Sequence, residues 1–480
     1  MKKNIYFILF ILLILILPVQ VKAQVNNDIK ENIWLQLSGT PVQINDQKLY
    51  SEDIMLKHYR EEDFEPHWVT EGGVLPVAEV FLSQLENSHQ EGLIPEDYNI
   101  TLIKELIEKT NNQKDVKTLS KIELLLTNSF LIYISDIHRG RFDYTSMDRN
   151  WVQSSDQIDY TDILKKINQN NVSDIINEVE PKFSGYSYLK NKLDKYREIR
   201  EKNTWQESEI DQATMEDLDL SPEEFIAKIK LNLDRLRWTA IEPDSDYILV
   251  NIPDYTLQVR KNNEIKKEMK TVIGKPDKAT PVFSEEIYRI ILNPVWRIPR
   301  SIIIDEYIPE IQENTSFLNN NYIEIYERNN SEYKKINPEE INWDKISKKD
   351  FDYHFWQDSG PWNSLGNVIF RNPDHENIYL HDSPERSLFY KDSRAYSYGC
   401  IRVERALELA HYILNKTDDY SKEEINNIVS NQKETLIELS SSFPLHLVYL
   451  TIWVDKENKE LNIVDDVYQR DEKLLKHFKD

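Results

Sequence analysis

The chain has 480 residues, 59 Lys and Arg against 83 Asp and Glu, and a formal charge of −24. That balance argues against DNA and RNA as partners, because a nucleic-acid surface concentrates positive charge to meet phosphate. Hydrophobic residues make up 40% and aromatic residues 11%, which suits two or three packed domains of roughly 150 residues each and argues against global disorder. Only 10 Gly are present, so Gly-rich repeats are excluded; the single Cys excludes an intramolecular disulfide and any Cys-based structural zinc site.

In chain order, Lys2 and Lys3 precede an apolar run from Ile5 to Leu17 that ends at Pro18, followed by Val21-Lys22-Ala23. A charged start, a short apolar core and a small-residue cleavage pattern predict a secretory signal over residues 1–23, with an uncleaved N-terminal anchor as the alternative reading. Membrane contact is expected only through this segment, if it is retained. Export changes the meaning of the one thiol. In an oxidising compartment it is either kept for chemistry or buried and inert, and its neighbourhood must decide.

Residues 27–236 read as an all-α region. Val77, Val80, Phe81 and Leu85 recur at helical spacing, as do Ile122, Leu125, Leu126, Phe130 and Tyr133. Gly92 and Pro95 mark a helix end. Lys190 to Arg200 is a short amphipathic stretch, residues 201–219 form an acidic linker, and Pro222 to Leu236 is a further helix. Nothing here clusters His, Cys and carboxylates, so a helical scaffold is expected.

After Trp238 the period changes to two. Tyr247 to Ile252, the alternating Tyr255, Leu257 and Val259, Met269 to Ile273, and Tyr288 to Leu292 read as strands. Leu445, Leu447, Tyr449, Thr451 and Trp453 fall on one face of a later strand, which turns at Asp455 to Lys459 into another ending near Val464. Residues 240–470 therefore predict a β-rich domain, sandwich or closed sheet. The polar and aromatic stretch of about 304–359 interrupts it and is read as a lid whose Tyr322, Trp343, Phe355 and Trp356 either contact a ligand or form a small core. The fold class is α+β and multidomain.

The chemistry concentrates in Tyr379-Leu380-His381-Asp382-Ser383-Pro384 and Ser397-Tyr398-Gly399-Cys400-Ile401-Arg402-Val403. A thiol attacks as thiolate, and a neighbouring imidazole can take its proton and return it to a leaving group. His381 follows an apolar strand. Val403, Leu407, Ala410 and Leu414 share a helical face, which predicts that Cys400 sits just before a helix N-terminus, where the dipole favours thiolate. The amides of Gly399 and Cys400 can aim at a developing oxyanion. No second His or Cys stands at ligand spacing, so no metal and no cofactor are expected.

This pattern of strand-borne His, loop, and Ser-x-Gly-Cys-aliphatic-Arg resembles the L,D-transpeptidases of bacterial peptidoglycan, in the large branch with an N-terminal helical scaffold. Gly274-Lys275 with Thr280-Pro281-Val282-Phe283, Asn293 to Pro299, Gly360 to Gly366, Phe64 to Trp68 and Gly92 to Tyr98 resemble further blocks of that branch. The resemblance implies Cys400 as nucleophile and His381 as base and acid, oriented through a backbone carbonyl of Asp382 or Ser383. It implies supporting or substrate-binding places for Ser397, Tyr398, Gly399 and Arg402. Donor and acceptor stem peptides of peptidoglycan, a 3→3 crosslink and a periplasmic location follow from the same resemblance. Two departures stand out. Tyr398 replaces the family's second His, which leaves open a non-catalytic wall-binding protein or a thiol hydrolase. The stretch between Arg197 and Arg235 is too short for the wall-binding module that many relatives insert.

Overall fold

A computed structural model describes residues 28–39, 43–44, 47–112, 115–147, 158–167, 171–205, 220–239, 241, 245–330, 332–346, 351–373, 378–455 and 459–479. The expected signal over residues 1–23 and most of the acidic linker lie outside the described residues. Among the described residues no helix is long and apolar enough to cross a membrane.

The front half is helical because its apolar residues recur at helical spacing and its termini are capped. Its central helix, Val116–Arg139, opens where the Asp115 carboxylate accepts the Thr118 amide at 3.0 Å, and ends at Gly140. Leu119, Ile122, Leu125, Phe130, Ile134 and Ile137 are buried along it. Trp68, Phe81 and Phe130 interlock against it with ring centroids 5.3–5.7 Å apart. The loop before Trp68 is pinned from inside. Glu123, fully buried on the central helix, accepts the amides of His67 and Trp68 at 2.7 and 2.8 Å and the Tyr59 hydroxyl at 2.7 Å. A buried carboxylate is tolerated only with such donors. The region is not purely helical: two-residue strands pair Gln43–Ile44 with Gln47–Lys48 and Val69–Thr70 with Gly73–Val74.

The helix Pro222–Arg237 starts with a capping box between Ser221 and Glu224, and every residue from Phe225 to Arg237 is buried. It touches both halves. Toward the helical half, Arg237 donates to the Glu91 carbonyl and to the Tyr186 hydroxyl, at 2.5 and 2.8 Å, and Asp234 accepts from the Arg141 amide and the Tyr144 hydroxyl, both at 2.7 Å. Toward the β-rich half, Asn232 accepts the Thr451 amide at 2.9 Å, and Arg235 and Lys228 flank Asp471 at 2.7 and 3.1 Å.

The back half is built from strands β1 (Asp246–Asn251), β2 (Thr256–Lys261), β3 (Glu264–Gly274), β4 (Phe283–Leu292), β5 (Trp296–Arg297), β6 (Ile323–Asn329), β7 (Glu332–Ile336), β8 (Tyr353–Gln357), β9 (Val368–Arg371), β10 (Leu380–His381), β11 (Ala395–Ser397), β12 (Ile401–Val403), β13 (Thr435–Val448), β14 (Ile452–Val454) and β15 (Leu461–Ile463). The main sheet runs β11-β3-β12-β10-β9-β4-β13-β1-β2, and β2 pairs again with β3, so the sheet closes on itself. Of the two architectures read from the sequence, the closed sheet is the one present. The predicted single face from Leu445 to Trp453 is broken: β13 ends at Val448, and β14 pairs with β15 as a separate ribbon.

Alternation sorts the strands into an inner and an outer face. Val368, Phe370, Leu380, Ile401 and Val403 join one core together with the helix Ala406–Asp418. Ile291, Ile369 and Tyr379 point the other way, into a second core shared with the inserted segment. That insertion is no bare loop. It folds as a second sheet, β7-β6-β8-β5, whose Ile323, Ile325 and Phe355 bury against the barrel with Trp296 and Trp343. Phe355 and Trp343 are therefore core, whereas Tyr322 is 49% exposed and Trp356 half-buried.

Candidate active site

Strand register brings the two reactive side chains to one place. β10 and β12 run parallel, with Leu380 opposite Ile401 and His381 opposite Arg402. Cys400, one residue before β12, therefore shares the outer face with Tyr379, His381 and Arg402. Diagonal neighbours of this kind sit about 7–8 Å apart in backbone, within reach of their side chains. The Ile401 amide donates to the Tyr379 carbonyl at 3.1 Å and fixes the offset. Cys400 is half-buried, and both it and Tyr398 pack against the core beneath the inserted sheet.

The ring of His381 is oriented by backbone. Its Nδ1 lies 2.5 Å from the Asp382 carbonyl oxygen. A carbonyl only accepts, so Nδ1 carries the proton and Nε2 keeps its lone pair. Asp382 is itself locked: its carboxylate accepts the Asn367 amide at 2.9 Å and pairs with Arg386 at 2.7 Å. Burial, helped by Arg402, pushes His381 down to about 3, against the opposing pull of the Asp382 and Leu365 carbonyls. Burial likewise pushes the Cys400 thiol up, while the Tyr379 amide, Arg371 and Arg402 pull it back. At rest the site holds a neutral thiol and a neutral imidazole, in a pocket biased toward negative charge by two guanidinium groups.

Three sequence expectations need correction. The helix after the thiol begins at Ala406, and Ile401 to Val403 form strand β12 instead. Its dipole therefore does not reach Cys400, and the flanking arginines supply the positive field. The Gly399 amide is engaged by the Ser397 hydroxyl at 3.1 Å, so it does not face an incoming oxyanion. Ser397 is buried and donates to the Cys400 carbonyl at 2.5 Å, which makes it a brace for the loop, not a ligand. Ser383 is fully buried, its hydroxyl accepting the Glu385 amide at 3.2 Å.

Arg402 is held in an ion pair with Glu385. Tyr398 carries the Lys275 ammonium 4.2 Å from its ring centre.

Sequence reasoning missed Arg371 and gave Tyr379, Lys275 and Leu365 no individual role. Arg371, at the end of β9, lies over the Tyr379 ring at 4.2 Å and acts electrostatically on Cys400. Tyr379 stands two residues before His381, so period-two alternation already placed the two on one face. Lys275 follows Gly274, and its amide donates to the Ser397 carbonyl at 2.9 Å, tying β3 to the Cys400 loop.

Comparison with known proteins agrees with this architecture. Residues 245–425 match the L,D-transpeptidase catalytic domain, and residues 53–193 match a scaffold domain. A Haemophilus influenzae protein that carries the provisional name L,D-transpeptidase is 31% identical over 248 residues, 52% of this chain; the chain spans about half, 48%, of that relative's length. Among solved structures, an L,D-transpeptidase from Mycobacterium smegmatis is 14% identical, with 42% of this chain and 58% of that one covered and a TM-score of 0.21. L,D-transpeptidase 3 from Mycobacterium tuberculosis is 12% identical, with 42% and 60% covered and a TM-score of 0.20. These two likenesses carry no argument. The chain thus carries a segment matching the L,D-transpeptidase catalytic domain behind a segment matching an N-terminal scaffold domain.

Proposed function

We propose that the protein is a cysteine acyltransferase of the exported cell envelope, acting on peptidoglycan stem peptides. The observation that supports this best is the placement of Cys400 and His381 on one outer face of adjacent parallel strands, with Nδ1 of His381 committed to the Asp382 carbonyl. His381 Nε2 takes the thiol proton as Sγ attacks the carbonyl carbon of the third residue of a tetrapeptide stem. A C–S bond forms, the amide C–N bond breaks, and the same proton passes to the departing amine of the terminal D-Ala. A side-chain amine from a second stem then attacks the thioester, giving a 3→3 amide and returning the proton to sulfur through His381. The inserted sheet over the site excludes water and favours the amine over hydrolysis. Arg371 and Arg402 stabilise the thiolate that forms during attack.

The test is product analysis of purified protein on isolated tetrapeptide muropeptides, together with intact-mass detection of a carbapenem adduct. Wild type is expected to give 3→3 dimers, free D-Ala and one adduct. Cys400→Ala should give none of these, and His381→Ala should slow acylation roughly 10²–10⁴-fold. Neither dimer nor released D-Ala from wild type ends the reading; loss of existing dimers without new ones converts it to a hydrolase.

A further inference from the structure

The solvent side of the inserted sheet carries aromatic rings that the reaction does not use. Trp356 and Tyr326 stand on neighbouring strands β8 and β6, their ring centres 4.1 Å apart. Tyr333, 43% exposed, meets Trp356 at 5.0 Å. At the end of the sheet, Tyr322 stacks flat on Trp362, at 3.8 Å and 14°. This second pair is built at a cost. Tyr322 has a φ of 54°, which a bulky residue adopts only under constraint. Trp362 presses so close to Gly360 that a Cβ there would lie 2.5 Å from its ring. Strain spent to hold a half-exposed ring marks a contact surface better than the ring alone does.

The charges around the rings nearly cancel. Glu324 accepts the Tyr326 hydroxyl at 2.6 Å and pairs with Lys335, and Arg297 lies 5.5 Å from the Trp356 ring centre. Flat apolar faces, fringed by donors and acceptors of both signs, complement an uncharged polyol. They suit neither an anion nor a purely apolar helix. One end of the surface is also close along the chain to the candidate active site. Leu365, whose carbonyl acts on the His381 ring, is only three positions after Trp362; three residue steps span at most about 10 Å.

We infer that this aromatic face binds the neutral glycan strand of the polymer whose stem peptide enters beside Cys400. Sugar rings stack on Trp356 and on the Tyr322–Trp362 pair, and this fixes where along the strand the stem is offered. The inference rests on the reading of the chain as a wall acyltransferase, since that reading supplies the polysaccharide.

The test uses the full chain bearing Cys400→Ala, so that nothing turns over, and two probes: peptide-free glycan strands and a sugar-free tetrapeptide. Binding is followed by calorimetry. The strands are expected to bind, and Trp356→Ala and Trp362→Ala should each weaken them at least tenfold, whereas Trp362→Phe, which keeps the stack, should not. Unfolding midpoints report whether a variant is folded; should Trp362→Ala unfold, Trp356→Ala still decides. Unchanged affinity in the folded Ala variants, no binding of the strands, or loss of tetrapeptide binding in place of strand binding overturns the inference. If glycan binds as expected while the native Cys400 enzyme transfers no acyl group, the inference holds and the transferase reading falls.

Discussion

The Lys275 ammonium lies 4.2 Å from the centre of the Tyr398 ring, two positions before Cys400. Tyr398 replaces an imidazole that could itself carry charge, and Lys275 brings a cation to the same corner. A stacked cation of this kind contributes about 1 kcal/mol. Lys275→Met is therefore expected to lower kcat/KM on a tetrapeptide donor roughly fivefold. The unfolding midpoint should stay in place. A donor with an amidated C-terminus should show a smaller difference if the ammonium also faces the donor's terminal carboxylate. Equal losses on both donors would assign Lys275 to packing alone.

Arg371 makes a prediction about thiol chemistry. It pulls the Cys400 pKa down against burial, so removing it leaves the thiol higher and the thiolate scarcer. Alkylation of Cys400 by iodoacetamide, followed by mass at fixed pH near 8, should slow several-fold in Arg371→Gln. Across pH, the alkylation midpoint of the variant should move to the alkaline side of wild type.

His446 tests the cost of a buried neutral imidazole away from the chemistry. Burial pushes it down to about 4, and its Nδ1 lies 2.9 Å from the Ser284 hydroxyl. Its folded pKa lies below the unfolded one, so the unfolded chain takes up a proton that the folded chain refuses between pH 6.5 and about 4. That contribution to stability is present above the unfolded pKa and is lost as pH falls through this window. Denaturant unfolding of wild type and His446→Gln at pH 7, 6 and 5 should show the wild-type advantage shrinking by up to about 1.4 kcal/mol per pH unit. A pH-independent difference would contradict the assignment.

Gly366 has a φ of 60°, and a Cβ there would lie 2.4 Å from the Asp382 carboxyl carbon. Asp382 orients His381, so the strain is delivered to the imidazole. Gly366→Ala is expected to cost about 1–3 kcal/mol in unfolding free energy. The fall in acylation rate should exceed that of Gly72→Ala, an exposed-loop control with an ordinary φ, by tenfold or more. Carbapenem acylation kinetics with a parallel melt give both numbers.

Much of the reactive window was legible because it is local. Leu380-His381 reads as strand, and the only thiol stands nineteen positions on. The misplaced helix shows where locality fails. Val403, Leu407, Ala410 and Leu414 do share a helical spacing, but Ile401-Arg402-Val403 also alternates, and pairing with Leu380–His381 and Thr271–Val272 decided for the strand. The roles of Arg371 and Lys275 were not legible because they come from distant sequence across strand pairings, Arg371 to the thiol and Lys275 to the Tyr398 ring. The closure of β2 on β3 is non-local in the same sense. The strands within the inserted lid were not legible because Ile323, Ile325 and Phe355 are spread among charged residues, and only the barrel's outer face gives them something to cover.

From Phe225 onward the helix Pro222–Arg237 has no solvent side. Cutting the chain after it, in order to prepare the β-rich part alone, would strand Asp471 without Arg235 and Lys228 and leave Thr451 without Asn232. Cutting before it would bare Asp234 and Arg237, along with the apolar stripe that faces the front half. Neither piece is a ready-made minimal enzyme. Calorimetric melting should accordingly register one cooperative event, with the scaffold lost in the same step as the barrel.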